Sequence, residues 1–371
     1  CSPIERSTAA ASQRERLTPT YHREIGYPLL IAVFMKVFGP VWDIALAAAK
    51  VFIFALIYPF LFLTAKLIFP SHWRPSFVIW PFLFLIASGT FIVQVPFYLA
   101  DMTLTLCFLM GIYYGLKSQL YLRWSDLLGH LFFIGLAAIV KSTLVYFVLV
   151  DVLILASFAY YRNTYKQPRS RQFILISFMV VLPASQFNSF RNFINHDYYK
   201  PTDVLATNLF CFLAKEIADL SGNKALYTDG VMELYKIDSS NIKLIDQKKT
   251  EKAKEIIVAH PGATGYILMK HGMSLLFHSH YHFFGRTLIK DPPALFVWII
   301  LFPLSYLLYT FLYVSFSCFC LRLIRQKQYF LLVPIVSVVG YMLVPTLLVN
   351  SGSRMRLPIE GIILIFAFAE V

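Results

Sequence analysis

Arg354 and Arg356 stand in "NSGSRMRLPIEGIIL", in a short loop (350–356) between two apolar runs (329–349 and 357–371). A guanidinium offers a planar fork of donors that holds two phosphate oxygens at once. Two arginines pinned at a membrane face therefore suit an anionic headgroup. Asp101 opens another apolar run, in "VPFYLADMTLTLCFL". That carboxylate is either a helix cap, favoured by backbone amides and the helix dipole, or the acid of a cavity at the membrane surface, where ionisable groups are costly and mark sites. Lys141, in "GLAAIVKSTLVYFVL", is either a lysine snorkelling to the interface or a member of the same site. Arg191 and Asn192, in "FNSFRNFINHDYY", read as the polar flank of a span or as further phosphate ligands. His22, Arg23 and Glu24, in "TYHREIGYPLL", read as a charged helix entry or as the lining of an outer mouth.

"HSHYH" places His278, His280 and His282 close together. In a helix only His278 and His282 share a side, and no zinc-like spacing with Cys or Glu accompanies them. An aromatic belt at the interface is the better reading. No resident cofactor is implied, although nothing in these motifs argues against a divalent metal. P-loop, GxGxxG and GxSxG patterns are absent from the sequence.

Positioning such residues falls to hydrophobic elements. The 371 residues are 58% hydrophobic and only 14% charged, with 35 Phe and 22 Tyr. A soluble domain is nearer half apolar and a quarter charged. The excess lies in runs, which predicts an all-α polytopic bundle of nine transmembrane helices: 42–63, 77–93, 102–116, 127–140, 144–160, 173–184, 294–321, 329–349 and 357–371. Some are short for the roughly 20 residues a bilayer requires, which is tolerable where neighbours are helices rather than lipid. Residues 26–39 predict an interfacial helix broken at Gly39-Pro40. The first 24 residues read as polar, with a short helix possible at 9–16.

The net charge of +13 fits basic cytoplasmic loops and anionic lipid or phosphate better than nucleic acid. Lys66 and Arg74, then Lys117 and Arg123, then Arg162, Lys166, Arg169 and Arg171, then Arg322, Arg325 and Lys327 fall in alternate connections. If every span is real, these loops share the cytoplasmic side. Asp101, Lys141, Arg191 and the arginine loop then face the periplasm or lumen. The expected organisation is the end of an outer loop with its interfacial helix (1–41), a first part of the bundle (42–184), a helical outer domain (185–293) and a second part of the bundle (294–371). Three helices are expected in the outer domain, around 202–222, 241–260 and 263–284. Five cysteines (Cys1, Cys107, Cys211, Cys318 and Cys320) without a CxxC argue against a disulfide framework. The chain opens on Cys1 and stops inside an apolar run, so a piece of a longer protein is expected.

Four stretches, "HREIGYPLLIAVFMKVFG", "VPFYLADMTLTLCFLMGIYY", "GLAAIVKSTLVYFVLVDVLIL" and "SRMRLPIEGIILIFA", together with the order of the outer loop, resemble the GT-C superfamily of polytopic glycosyltransferases. The nearest branch looks like the protein O-mannosyltransferase and lipid A aminoarabinose transferase group. The resemblance implies transfer of a sugar from a polyprenyl-phosphate donor to an acceptor protein, lipid or glycan on the outer side. The localisation implied is a bacterial inner membrane, or the endoplasmic reticulum in a eukaryote. It implies catalytic roles for Asp101 and Glu24, with the principal acid expected upstream of residue 1. It also implies lipid-phosphate binding by Arg354, Arg356, Arg23, Lys141 and Arg191. The partners implied are that donor, its acceptor and membrane lipids, with no nucleic acid. Two other classes compete: a transporter or flippase for a lipid-linked or anionic solute, and an O-antigen-ligase-like or acyltransferase-like membrane enzyme. The second is poorly served by His130, which is expected near the cytoplasmic end of its span.

Overall fold

The computed structural model describes residues 26–69, 101–141, 147–200, 204–238, 241–277, 302–347 and 357–367. All regular structure among them is helical. The expected span at 77–93, the short helix at 9–16 and the three histidines of "HSHYH" lie outside the described residues. Among the described residues three stretches are long and apolar enough to cross a membrane: Tyr27–Ile68, Pro168–Asn195 and Tyr306–Arg325. Trp124–Val140, Phe147–Tyr161 and Tyr329–Tyr341 are apolar but shorter.

The chain divides into two compact units. In the larger, α1 (Gly26–Phe38) ends where Gly39 takes a left-handed φ of 53° ahead of Pro40, as the Gly-Pro pair predicts. A single 3-10 turn, Gly39–Val41, leads into α2 (Trp42–Ile68). Then follow α3 (Asp101–Tyr121), α4 (Trp124–Val140), α5 (Phe147–Tyr161) and α6 (Pro168–Ser185). After the second unit the chain returns as α13 (Phe302–Arg325), α14 (Tyr329–Leu347) and α15 (Leu357–Ala367).

α3 is the central helix, since α2, α4, α5, α6 and α15 all pack on it. It carries Asp101, Thr105, Ser118 and Gln119 fully inside. Polar residues are affordable on a helix whose neighbours are protein, because those neighbours supply hydrogen bonds that lipid cannot. Gly111 and Gly115 explain how close α4 comes. A Cβ on Gly111 would lie 2.5 Å from Ile134 Cδ1, and one on Gly115 would lie 2.7 Å from His130 Nδ1. This is the small-xxx-small pattern that lets two backbones approach.

One end of this bundle gathers the basic loops. Ser170 of α6 donates to Gln119 near the end of α3 at 2.6 Å. Lys117 pairs with Asp126 at the start of α4 at 3.1 Å. Arg162, just past α5, donates to the Leu67 carbonyl of α2. Tyr160 stacks on Phe330 of α14, and Phe69 meets Phe319 of α13 and Phe366 of α15. Lys66, Lys117, Arg123, Arg162, Lys166, Arg169, Arg171, Arg322, Arg325 and Lys327 therefore share one end. Asp126 is the only carboxylate described there. The three helical hairpins of this end all turn through a left-handed residue: Leu122, Asn163 and Lys327. At Lys327 the turn is a Schellman cap, with Gln328 N–H on the Leu323 carbonyl (2.8 Å) and Lys327 N–H on Ile324 (3.0 Å).

The second unit, Phe187–Gly272 in its described part, holds α7 (Phe187–His196) and α8 (Val204–Thr207). α8 runs through a π-helical stretch (Asn208–Ala214) into α9 (Lys215–Ser221), closed by left-handed Gly222. α10 (Lys224–Tyr235), α11 (Ile242–Ala259) and α12 (Pro261–Phe277) follow. Asn241 caps α11 by accepting the Leu244 N–H. Pro261 stands at the first position of α12, where its missing N–H costs nothing. Phe210, Leu213, Ile217, Ala253, Ile256 and Ile267 form the unit's own core. Cys211 is disulfide-bonded, a bridge that the odd cysteine count does not foretell.

Candidate functional site

Asp101 and Lys141 lie at the end of the bundle away from the basic loops. α3 and α4 are antiparallel and joined at residues 122 and 123. At 1.5 Å per residue they run roughly 30 and 25 Å from that turn, so the start of α3 and the end of α4 fall within about a helical turn of each other. Asp101 sits in the first turn of α3, where the dipole favours a carboxylate. Lys141 is the C-cap of α4 with extended backbone, the terminus that favours a cation. Lys141 Nζ donates directly to Asp101 Oδ1. Asp101 is 1% exposed and the Lys141 side chain 14%. Lys141 thus turns inward to its partner rather than snorkelling outward. The pair puts a carboxyl group and an amine in contact at one enclosed point.

A second carboxylate lies within α15. Glu360 is fully buried and accepts the Tyr309 hydroxyl of α13 at 2.7 Å. It stands in the first turn of α15, whereas Phe366 reaches the basic end, so Glu360 belongs to the half of the helix remote from that end. The expected site residues do not include it. Its signal was nevertheless visible, as a lone carboxylate inside an apolar run. Lys50 of α2 and Asp151 of α5 carry the same signal and are also buried.

Asp151 belongs to a polar cluster that joins four helices. His130 Nδ1 lies 2.9 Å from the Gly111 carbonyl, which can only accept, so Nδ1 carries a proton. Nε2 lies 2.9 Å from Ser177 Oγ and 3.2 Å from Asp151 Oδ2, and the Ser177 and Asp151 oxygens are 2.8 Å apart. One proton arrangement satisfies all these contacts: Nε2–H donates toward the Ser177 and Asp151 oxygens while the Ser177 hydroxyl donates to Asp151. An imidazolium facing a carboxylate leaves the enclosed cluster with zero net charge, which such a site requires.

Arg191 belongs to the other unit. Its Nε and Nη2 donate to Asn192 Oδ1 at 3.0 and 2.7 Å, and Asn192 Nδ2 donates to the Lys200 carbonyl at 2.7 Å. Asp246 of α11 accepts from Lys200 (2.6 Å) and Tyr198 (2.7 Å). Burial first, and then this bond to Asp246, push the Tyr198 phenol above its ordinary range. Glu216 accepts from Lys270 and His271. Among the described residues no group of three or more His, Cys, Asp or Glu is arranged to hold a metal.

Of the expected site, the structure brings Asp101 and Lys141 together. Arg191 stands in a separate unit, and Arg23, Glu24, Arg354 and Arg356 lie outside the described residues. No protein-family model, curated protein or solved structure matches the chain.

Proposed function

We propose that the chain is a multi-pass membrane glycosyltransferase that moves a sugar from a polyprenyl-phosphate donor to an acceptor hydroxyl. The reaction would take place on the membrane face opposite the basic loops, the periplasmic or lumenal side. The observation that carries the reading is the enclosed Asp101–Lys141 pair at that end. Support also comes from the gathering of basic loops at the other end, the pattern of a cytoplasmic face, and from the resemblance of the charged stretches to the GT-C superfamily.

The chemistry is a single displacement. The acceptor oxygen bonds to the anomeric carbon as the bond from that carbon to the phosphate oxygen breaks. The acceptor proton passes to a carboxylate, for which Asp101 and Glu24 are the candidates in this chain. The electron pair leaves on the polyprenyl phosphate. Arg354, Arg356 and Arg23 bind that growing charge, with Lys141 and Arg191 as further candidates. Fixed cations placed there stabilise the transition state more than the ground state.

The test is transfer of labelled sugar from a polyprenyl-phosphate donor by the purified chain in proteoliposomes. Asp101→Asn should lower the rate by about 100-fold or more, as removal of a general base does. Arg354→Ala with Arg356→Ala should abolish transfer while the protein remains monodisperse in detergent. Unchanged rates in both would overturn the reading.

The transporter reading gains from one observation, the enclosed His130–Asp151–Ser177 cluster, since ionisable chains inside membranes can relay protons. Proton-driven uptake into the same proteoliposomes, lost in Asp151→Asn and present without sugar transfer, would select it.

A further inference from the structure

Within the larger unit α2, α3, α5, α14 and α15 line an apolar cavity, part of it open to the surroundings. Its walls include Ile68, Leu116, Phe158, Phe330, Val338 and Ile362. Thr64 is the one polar residue on the wall, and its hydroxyl already donates to the Phe60 carbonyl at 2.7 Å. An occupant would find dispersion contacts and nothing to hydrogen-bond. Water gains little in such a space, whereas hydrocarbon fits it.

The cavity lies toward the basic end. Ile68, Leu116 and Phe158 fall in the last turns of α2, α3 and α5, and Phe330 in the first turn of α14. A cation stands beside one of its walls. The Arg162 guanidinium sits 5.6 Å from the centre of the Phe158 ring. Arg162 Nε is buried and has no hydrogen-bond partner among the described residues. Phe330 stacks on Tyr160, Tyr160 on Tyr165, and Lys166 Nζ lies 6.0 Å from the Tyr165 ring.

We propose that this cavity seats a hydrocarbon chain of an anionic phospholipid, with the lipid phosphate at Arg162. Charge complementarity selects the occupant. A wall with one already satisfied hydroxyl accepts an acyl chain, and a guanidinium beside the wall residue Phe158, with one N–H lacking a partner among the described residues, selects a phosphate over a neutral head. The inference rests on the reading that the basic end meets the cytoplasmic leaflet. It does not rest on glycosyl transfer, and it assigns a lipid distinct from the sugar donor, whose phosphate belongs to the opposite face.

The experiment uses the full chain in phosphatidylcholine nanodiscs. In separate arms these carry the same small fraction of phosphatidylglycerol, phosphatidylcholine or undecaprenyl phosphate, each with a photoactivatable group in its hydrocarbon chain. Cross-linked residues are read by mass spectrometry. The expected result is labelling of the cavity walls on α3 and α14 by the phosphatidylglycerol probe in preference to phosphatidylcholine. Val338→Trp, which fills the space, should remove most of that labelling. Arg162→Gln, beside the wall and so a safe second variant where the tryptophan disturbs folding, should lower the preference about fivefold. Labelling of other surfaces only, equal labelling by the two phospholipids, or no effect of Arg162→Gln overturns the proposal. Stronger labelling by undecaprenyl phosphate also overturns it and assigns the cavity to a polyprenyl tail. Sugar transfer is not read in this experiment, so failure of the transferase reading shows separately.

Discussion

In the bundle, Asp151 is 1% exposed and answers to donors on two other helices. In the smaller unit, Glu251 lies at the surface and pairs with Lys248 one turn away on its own helix. Both are carboxylates beside a basic residue, yet they do different work. An enclosed charge carries a large desolvation cost that only exact partners offset. A surface charge keeps its water, so its neighbour adds little. Glu251 responds in the expected direction, held below the ordinary glutamate range by the Lys248 hydrogen bond. The enclosed pairs each join different helices, whereas Lys248–Glu251 and Lys252–Glu255 stay within α11. Enclosed charge therefore specifies helix arrangement, whereas the surface pairs within α11 add little to it.

That contrast can be broken most sharply at His130. Replacing His130 or Asp151 alone by Leu should cost about 3 kcal/mol, because each leaves a polar group buried without its partner. The double replacement should cost less than the sum, since both unpaired groups leave together. Denaturant unfolding of the four proteins in one detergent measures this, and strict additivity would show that the cluster is not a unit. Next in size is Gly115→Leu. Its side chain would strike His130 and Leu155, part α4 from α3 and cost about 1–3 kcal/mol. The same unfolding curve reads it. The smallest effect belongs to Lys248→Ala. It should leave the thermal midpoint unchanged within error, and a shift as large as that of Gly115→Leu would erase the distinction between the two regions.

Much of the helical framework is legible in the amino-acid sequence. The apolar runs at 42–63, 102–116, 127–140 and 173–184 all lie within helices, because unbroken hydrophobic stretches of that length have few other ways to satisfy their backbone. Asn241 and Gly222 mark helix ends through local hydrogen bonding and backbone freedom, which neighbouring residues alone decide. α10 (Lys224–Tyr235) is not legible, since its apolar residues are few and its helix depends on packing against Phe210 and α11. The π-helical stretch at Asn208–Ala214 likewise has no local signal.

For the candidate site, sequence points to Asp101 and Lys141 one at a time, as charges at the ends of apolar runs. Their union follows from a tight hairpin and two helices of similar length, and only the packed bundle fixes it. Glu360 with Tyr309 and Asp151 with His130 and Ser177 are joined across long stretches of chain. Residue types alone determine that this protein is helical, apolar and basic, because hydrophobic periodicity and charge are sums over the chain. Tertiary structure decides which charges meet and which faces enclose a cavity, because an ion pair depends on a few ångströms of separation that composition does not encode.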